Sequence, residues 1–265
     1  MSDDVNTKSD DYWKKNRLVP LDQHEIDLYK AVDSLTKNKK FILYQNILTT
    51  LSGGYLVKGN FEIGPYYDFY GNDSIEGPRV RFGARTSNKF STHLMIYGYG
   101  AYGFNDERFK YNGGFLYLLN KQPRSYFRFD AVNDFENNGN HFDENTSDNL
   151  IGAFRRPIPQ KIVNLNAQKI IFMKEWRIGF SNKIQLLHET ITPYFHYDFV
   201  SPDELLHLQN QPVNVSEISY SIRFAYQEIF IGGEFLRTST GSKYPIVELK
   251  YTGGFKNILN STFNY

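Results

Sequence analysis

From about residue 53 onward, side chains alternate between apolar and polar with a period of two, and this pattern most narrows what the chain can fold into. Val80, Phe82 and Ala84 alternate with Arg79, Arg81 and Arg85, and Phe127, Phe129 and Ala131 with Arg128 and Asp130. Trp176 to Leu186 reads as one such segment, with Arg177, Ser181, Lys183 and Gln185 on its polar side. Ile218 to Phe224 and Val247 to Tyr251 repeat the pattern. Successive strand residues point to opposite faces, so each segment has one apolar and one polar face. About ten segments qualify, many near the ~9–11 residues of a tilted membrane strand. Thr92 to Phe104 is apolar, glycine or tyrosine on both faces, which predicts a strand buried on both sides. Asn105–Arg108, Lys121–Arg124 and Thr240–Ser242 read as short turns. Glu136 to Asn149 and Val200 to Asn214 read as longer loops. The expected fold is all-β and antiparallel.

Composition decides which environments suit such strands. No apolar run reaches the roughly 20 residues of a membrane-spanning helix, and mean hydropathy is −0.51. Alternating barrel strands average to a polar-looking chain, so a transmembrane β-barrel stays open. The 22 Phe and 20 Tyr favour strands and supply the aromatic girdles of such barrels. Lys and Arg total 30 against 29 Asp and Glu, a balance that argues against nucleic acid as a partner. With no cysteine there is no disulfide, thiol nucleophile or cysteine metal site.

Residues 1–40 differ from the rest. Met1–Asp4 lacks the charged and apolar regions of a signal peptide. Asp22 followed by Glu25 resembles a capping box, and Ile26, Tyr29, Val32 and Leu35 share one helical face, predicting a helix over residues 22–37. Residues 1–40 are therefore read as a linker with an amphipathic helix, and residues 41–265 as β-barrel strands.

Motifs that could carry chemistry are few. Gly98–Gly103 fits Gly-x-Gly-x-x-Gly, but a turn and a strand follow it where a dinucleotide site needs a helix. These glycines are better read as positions where aromatic rings cross the strand. The histidines (His24, His93, His141, His188, His196 and His207) form no metal-binding spacing. Asp143–Asp148 lacks the glycine that a calcium loop requires. No Gly-x-Ser-x-Gly elbow is present. No catalytic, cofactor or metal residue is assigned, and no enzyme activity or cofactor is expected. What remains is an arginine-bearing strand. Arginine on a lipid face costs roughly 2–4 kcal/mol at mid-bilayer, so Arg79, Arg81 and Arg85 should face a wet or ion-paired interior. Arg128 and Arg177 join them as lumen-facing candidates. Glu76, Asp130, Glu217, Glu234 and Glu248 are candidate partners; an ordinary solvent face of a soluble sheet is the alternative.

Tyr12-Trp13, Arg17, Pro20-Leu21, Glu25 and Tyr29 resemble the opening of a family of Bacteroidetes outer-membrane proteins of unknown function. Its members are usually described as carboxypeptidase-like regulatory domain-containing proteins. The resemblance continues through Ile63–Pro65, Glu76–Arg79, Arg81–Gly83, Ala101–Tyr111, Glu228–Ile231, Gly241–Pro245 and Tyr251–Gly254. It implies an outer-membrane β-barrel whose full-length relatives carry a signal peptide and a periplasmic β-sandwich, neither evident here. It also implies that Phe263-Asn264-Tyr265 stops short of further strands; the alternative is that Phe263 and Tyr265 serve as the terminal aromatic of a finished barrel. No peptidase activity follows from the family's descriptive name.

The expected function is thus that of an outer-membrane barrel with a pore, export or membrane-assembly role. Its expected partners are outer-membrane lipid and the barrel-assembly machinery, with the transported species or substrate undefined. The alternative is a soluble extracellular β-sheet module that binds glycan or peptide through exposed aromatics. A third reading, an outer-membrane hydrolase, would need a Ser–His–acid cluster assembled in space.

Overall fold

The computed structural model describes residues 21–73, 75–137, 162–177, 179–194 and 212–262, with a few positions besides. The longer-loop readings, the Asp143–Asp148 run, and His141, His196 and His207 fall wholly or mainly outside the described residues. The chain divides into two compact units, residues 1–49 and 50–265.

Helix α1 spans Gln23–Lys37. The Asp22 side chain caps its first turn while Asp22 N–H donates to Glu25 Oε2 at 3.0 Å, so two otherwise orphaned backbone donors are satisfied. Asn38 has an extended backbone that ends α1, and its side chain accepts from Lys40 N–H at 2.9 Å. Asn38 therefore also starts a second helix, α2, Lys39–Gly53. The sequence reading assigned residues from 41 on to strands, whereas the first strand begins at Leu56. Phe41-Ile42-Leu43-Tyr44 carries no period-two alternation, and the Asn38 cap was the local signal for a helix. No helix among the described residues is long and apolar enough to cross a membrane, which says nothing of strands.

The second unit is an antiparallel meander. Its strands are β1 (Leu56–Lys58), β2 (Phe61–Ile63), β3 (Tyr70–Asp73), β4 (Gly77–Thr86), β5 (Leu94–Gly103), β6 (Arg108–Asn120), β7 (Ser125–Asn137), β8 (Ile162–Arg177) and β9 (Phe180–Pro193). After the short pair β10 (Asp198–Phe199) and β11 (Leu208–Gln209) come β12 (Val213–Ala225), the hairpin β13 (Ile229–Gly232) and β14 (Arg237–Gly241), and β15 (Ile246–Gly254). Eleven strands form one sheet in the order β1-β2-β4-β5-β6-β7-β8-β9-β12-β15, with β3 also paired to β4. The β10–β11 and β13–β14 pairs are separate two-stranded sheets. Among the described residues β15 is paired on one side only, to β12, and no pairing joins it to β1, β2 or β3.

The segment Trp176–Leu186 is two strands, with Gly179 in the turn between them. Gly179, at φ +88°, occupies a conformation that L-residues rarely adopt; the alternation runs through this tight turn and hides it.

Strand register assigns every residue of the sheet to a face. On one face, Tyr117, Phe127, Phe172, Ile184, Tyr220 and Tyr251 form a continuous row across six strands. The neighbouring row on that face runs Ile96, Phe115, Phe129, Ile170, Leu186 and Ile218. On β6 these apolar positions extend from Phe109 to Leu119, about 33 Å at ~3.3 Å per residue. This face is open: Phe82 is 60% exposed and Leu249 70%. β5 belongs to the same pattern. Ile96 and Tyr102 are exposed, so the expected burial of β5 on both sides does not occur, because among the described residues no second layer covers its apolar face.

The amphipathicity reverses toward the far ends of β7, β8, β9 and β12. There Asn133, Asn164, Asn166, Gln168, Thr190 and Asn214 take the outer positions. Val132, Leu165, Ala167 and Leu187 pack as a small apolar cluster on the opposite face.

Candidate functional site: an ion-paired polar trough

The face opposite the aromatic rows carries the charge. Arg79, Arg81 and Arg85 on β4 share it with Tyr97 and Tyr99 on β5 and Lys110 on β6. Arg128, Asp130 and Asp134 on β7 and Lys169 on β8 continue it. Arg79 on β4 donates to both carboxylate oxygens of Asp134 on β7, at 2.9 and 2.6 Å. In a flat sheet those strands would lie about 14 Å apart, beyond the combined reach of the two side chains. The sheet therefore curls around its polar face, which forms the floor of a trough.

Curling removes these charges from solvent, and Arg79, Arg81, Arg85, Lys110 and Arg128 are each matched by a carboxylate. Glu76 and Lys110 are each 1% exposed and form an ion pair at 2.6 Å. Lys110 also pairs with Asp106, and its ammonium lies 5.0 Å from the Phe135 ring centre. Arg79 bridges Glu76, at 2.9 Å, to Asp134, and Asp134 also accepts from the Tyr99 hydroxyl at 2.6 Å. Further along the trough, the Tyr97 hydroxyl donates to Asp130, and Arg128 donates to both the Tyr97 oxygen, at 2.9 Å, and Asp130. Arg81 pairs with Asp68 in the 3-10 turn Tyr66–Asp68 at 3.0 Å, and its guanidinium stacks 3.6 Å over Tyr99. Arg85 pairs with Glu62 on β2 at 2.6 Å and lies over Tyr55. Such pairing is what makes buried charge tolerable, since an isolated ion would carry a desolvation cost of several kcal/mol.

Arg177 stands apart from these four arginines. It lies beyond a bulge at the end of β8, is exposed, and has Phe180 as its cross-strand neighbour.

The β13–β14 hairpin reaches into one end of the trough. Phe235 is buried against Met95, Leu116 and Leu118, which lie on the trough face of β5 and β6. Arg124, in the turn between β6 and β7, donates to the carbonyls of Glu234, at 3.0 Å, and Phe235. Lys121 pairs with Glu234 at 3.1 Å, and Arg237 with Glu175 on β8 at 3.6 Å. At the base of the hairpin Arg223 binds both carboxylate oxygens of Glu228 at 2.6 Å. That bond, with a further one from Ser239, holds the Glu228 carboxyl below its ordinary range. Burial, and then the nearby Arg237, pull the Arg124 guanidinium down.

The glycines of the Gly-x-Gly-x-x-Gly string lie in β5. A Cβ at Gly100 would sit 2.8 Å from the Phe109 ring, and one at Gly114 on the adjacent strand 2.9 Å from the Tyr97 hydroxyl. Rings thus cross glycines on both faces, and Tyr102 instead packs edge-on against Phe104. His188 Nδ1 lies 2.9 Å from Ser216 Oγ, but that hydroxyl donates to the Ile258 carbonyl. Its proton is therefore not directed at a base, as nucleophilic catalysis requires. No cluster of metal-ligating side chains occurs among the described residues.

Among the partners read from sequence, Glu76 and Asp130 pair within the trough, Glu234 pairs with Lys121, and Glu248 lies opposite Arg223. Sequence reasoning missed Asp134 and Asp68, brought to their arginines by curvature and by a turn distant in the chain, and Glu62, which lies directly opposite Arg85 on a strand of three residues, too short to show alternation. It also missed Phe235, for which no alternation signals a seat inside the sheet. No family model, curated protein or solved structure matches the chain significantly.

Proposed function

We propose that residues 56–254 supply strands of an outer-membrane β-barrel, with the aromatic rows against lipid and the ion-paired face turned to the lumen. The observation that carries this reading is the inversion of the sheet. Lys110 and Lys169 are its two largest fully buried side chains, and Glu76 and Asp130 are fully buried beside the apolar Leu118 and Ile171, while Phe82, Phe109, Leu249 and Tyr251 are each at least 60% exposed. In water this arrangement is doubly unfavourable, since covering one large apolar side chain gains about 1.5–3 kcal/mol. In a bilayer the apolar term changes sign, and the inward turn of the paired charges keeps them out of lipid. The apolar length on β6 supports the assignment, because a strand tilted ~40° needs about 33 Å to cross a ~25 Å apolar band. Trp176, half exposed beside Lys174 and bonded through its indole N–H to Asn182 at 2.8 Å, suits an interfacial girdle position. A pore, export or assembly role is the reading that an arginine-bearing lumen in that membrane supports, with Arg79, Arg81, Arg85 and Arg128 on the lumen face.

The test uses Trp176 as a reporter, with Trp13 replaced by Phe. The protein should require detergent, shift in gel mobility on boiling, and lose Trp176 fluorescence when the detergent is replaced by its brominated analogue. Monodisperse protein in plain buffer would overturn the membrane assignment and favour a soluble aromatic binding module.

A further inference from the structure

We propose that the β13–β14 hairpin is a displaceable plug occluding the trough mouth bounded by the turn at residues 121–124 and by Gly179. The proposal rests on the barrel reading. The chain leaves the sheet at Ala225 on β12 and returns to it at Ile246 on β15, yet between them it touches the turn between β6 and β7. Four strand spacings separate β6 from β12, about 19 Å along a flat sheet, so the hairpin spans the mouth. Its deepest side chain, Phe235, seats on trough-face residues Met95, Leu116 and Leu118.

The attachment is of a releasable kind. The hairpin shares no backbone ladder with the main sheet, and its own strands are four and five residues long. An isolated hairpin of this length is marginal in water and opens at low free-energy cost. One aromatic anchor, the two carbonyl bonds from Arg124, the Lys121–Glu234 and Arg237–Glu175 pairs, and the Arg223–Glu228–Ser239 link at its base hold it in place. Ile229 and Ile231 stay about two-thirds exposed, so they add no packing that would fix the closed position.

Planar-bilayer recording tests this on the purified full chain. The parent protein should show a long-lived closed level, and Phe235→Ala should lose it. Because the chain contains no cysteine, Lys121→Cys with Glu234→Cys can be tethered cleanly by a short bis-maleimide. The tethered protein should stay closed, and the untethered double variant should gate. This pair alters only half-exposed side chains and serves if Phe235→Ala fails to fold. Equal conductance in all forms of a protein that inserts and is heat-modifiable overturns the plug and leaves the barrel standing. A protein that does not insert at all overturns both.

Discussion

Replacing Lys110 by Met probes whether the trough charges are truly withdrawn from water. Met matches the length of the lysine stem, so the change deletes the ammonium with little loss of volume. It leaves Glu76, 1% exposed, with Arg79 as its remaining cation, and strips Asp106 of its ion pair. Breaking a buried pair costs ~3–5 kcal/mol, and the retained Arg79 contact puts this case near 3 kcal/mol. That is about a 100-fold shift in the unfolding constant. Adding Glu76→Gln removes the stranded carboxylate, so the double variant should recover roughly 1.5 kcal/mol through the coupling of two groups in contact. Urea unfolding in detergent micelles, followed by tryptophan fluorescence, measures both. A Lys110→Met cost within ~0.5 kcal/mol, the scale of surface changes, would refute the argument, because it would mean water reaches the pair.

Phe172→Arg, in the middle of the outer aromatic row, should cost ~2–4 kcal/mol in lipid vesicles, and a near-zero cost there would show a face turned to water. Gly113 and Gly114 are sequence neighbours with opposite outcomes. Gly113→Ala meets nothing within 4 Å and should be nearly neutral, whereas a Cβ at Gly114 would lie 2.3 Å from the Phe129 carbonyl and cost ~1–3 kcal/mol in the same unfolding assay. Glu228 is held below its ordinary pKa by Arg223, so its contribution is complete above the unfolded carboxyl value of about 4.3 and is lost as pH falls through the lower folded value. Pepsin cleavage within residues 226–245 should therefore rise steeply at the acid end, and Glu228→Gln should flatten that dependence.

Much of the sheet was legible because face assignment depends only on parity. Once Val80, Phe82 and Ala84 are known to alternate with arginines, the backbone fixes which side each occupies. Which side is enclosed was not legible. Period-two patterns are identical for a soluble sheet and an inverted one, and the curl that brings Arg79 to Asp134 is a property of several strands together. Helix α2 was lost for a different reason: Phe41-Ile42-Leu43-Tyr44 favours strands by composition, and the Asn38 cap outweighs that preference. The Gly179 turn escaped because a tight hairpin keeps apolar residues in step on both arms.

The edge strand β15 carries the last consequence of the membrane reading. Along one side β15 pairs with β12 from Ile246 to Gly254, and among the described residues its other side has no ladder partner. Its outer face presents Val247, Leu249 and Tyr251, all at least 60% exposed. In water an apolar edge of this length templates aggregation, and in hydrocarbon each unsatisfied backbone group costs several kcal/mol. A β15 embedded in lipid must therefore gain a strand, either by meeting β1–β3 or by pairing with one beyond those described. Hydrogen exchange tests the point, because among the described residues the β15 amides that do not donate to β12 have no ladder acceptor. In lipid-inserted protein they should exchange as slowly as those of β8, which is paired on both sides. Rapid exchange confined to that one set of amides, with β8 protected in the same sample, would show an open edge. An open edge is incompatible with a strand in the bilayer core.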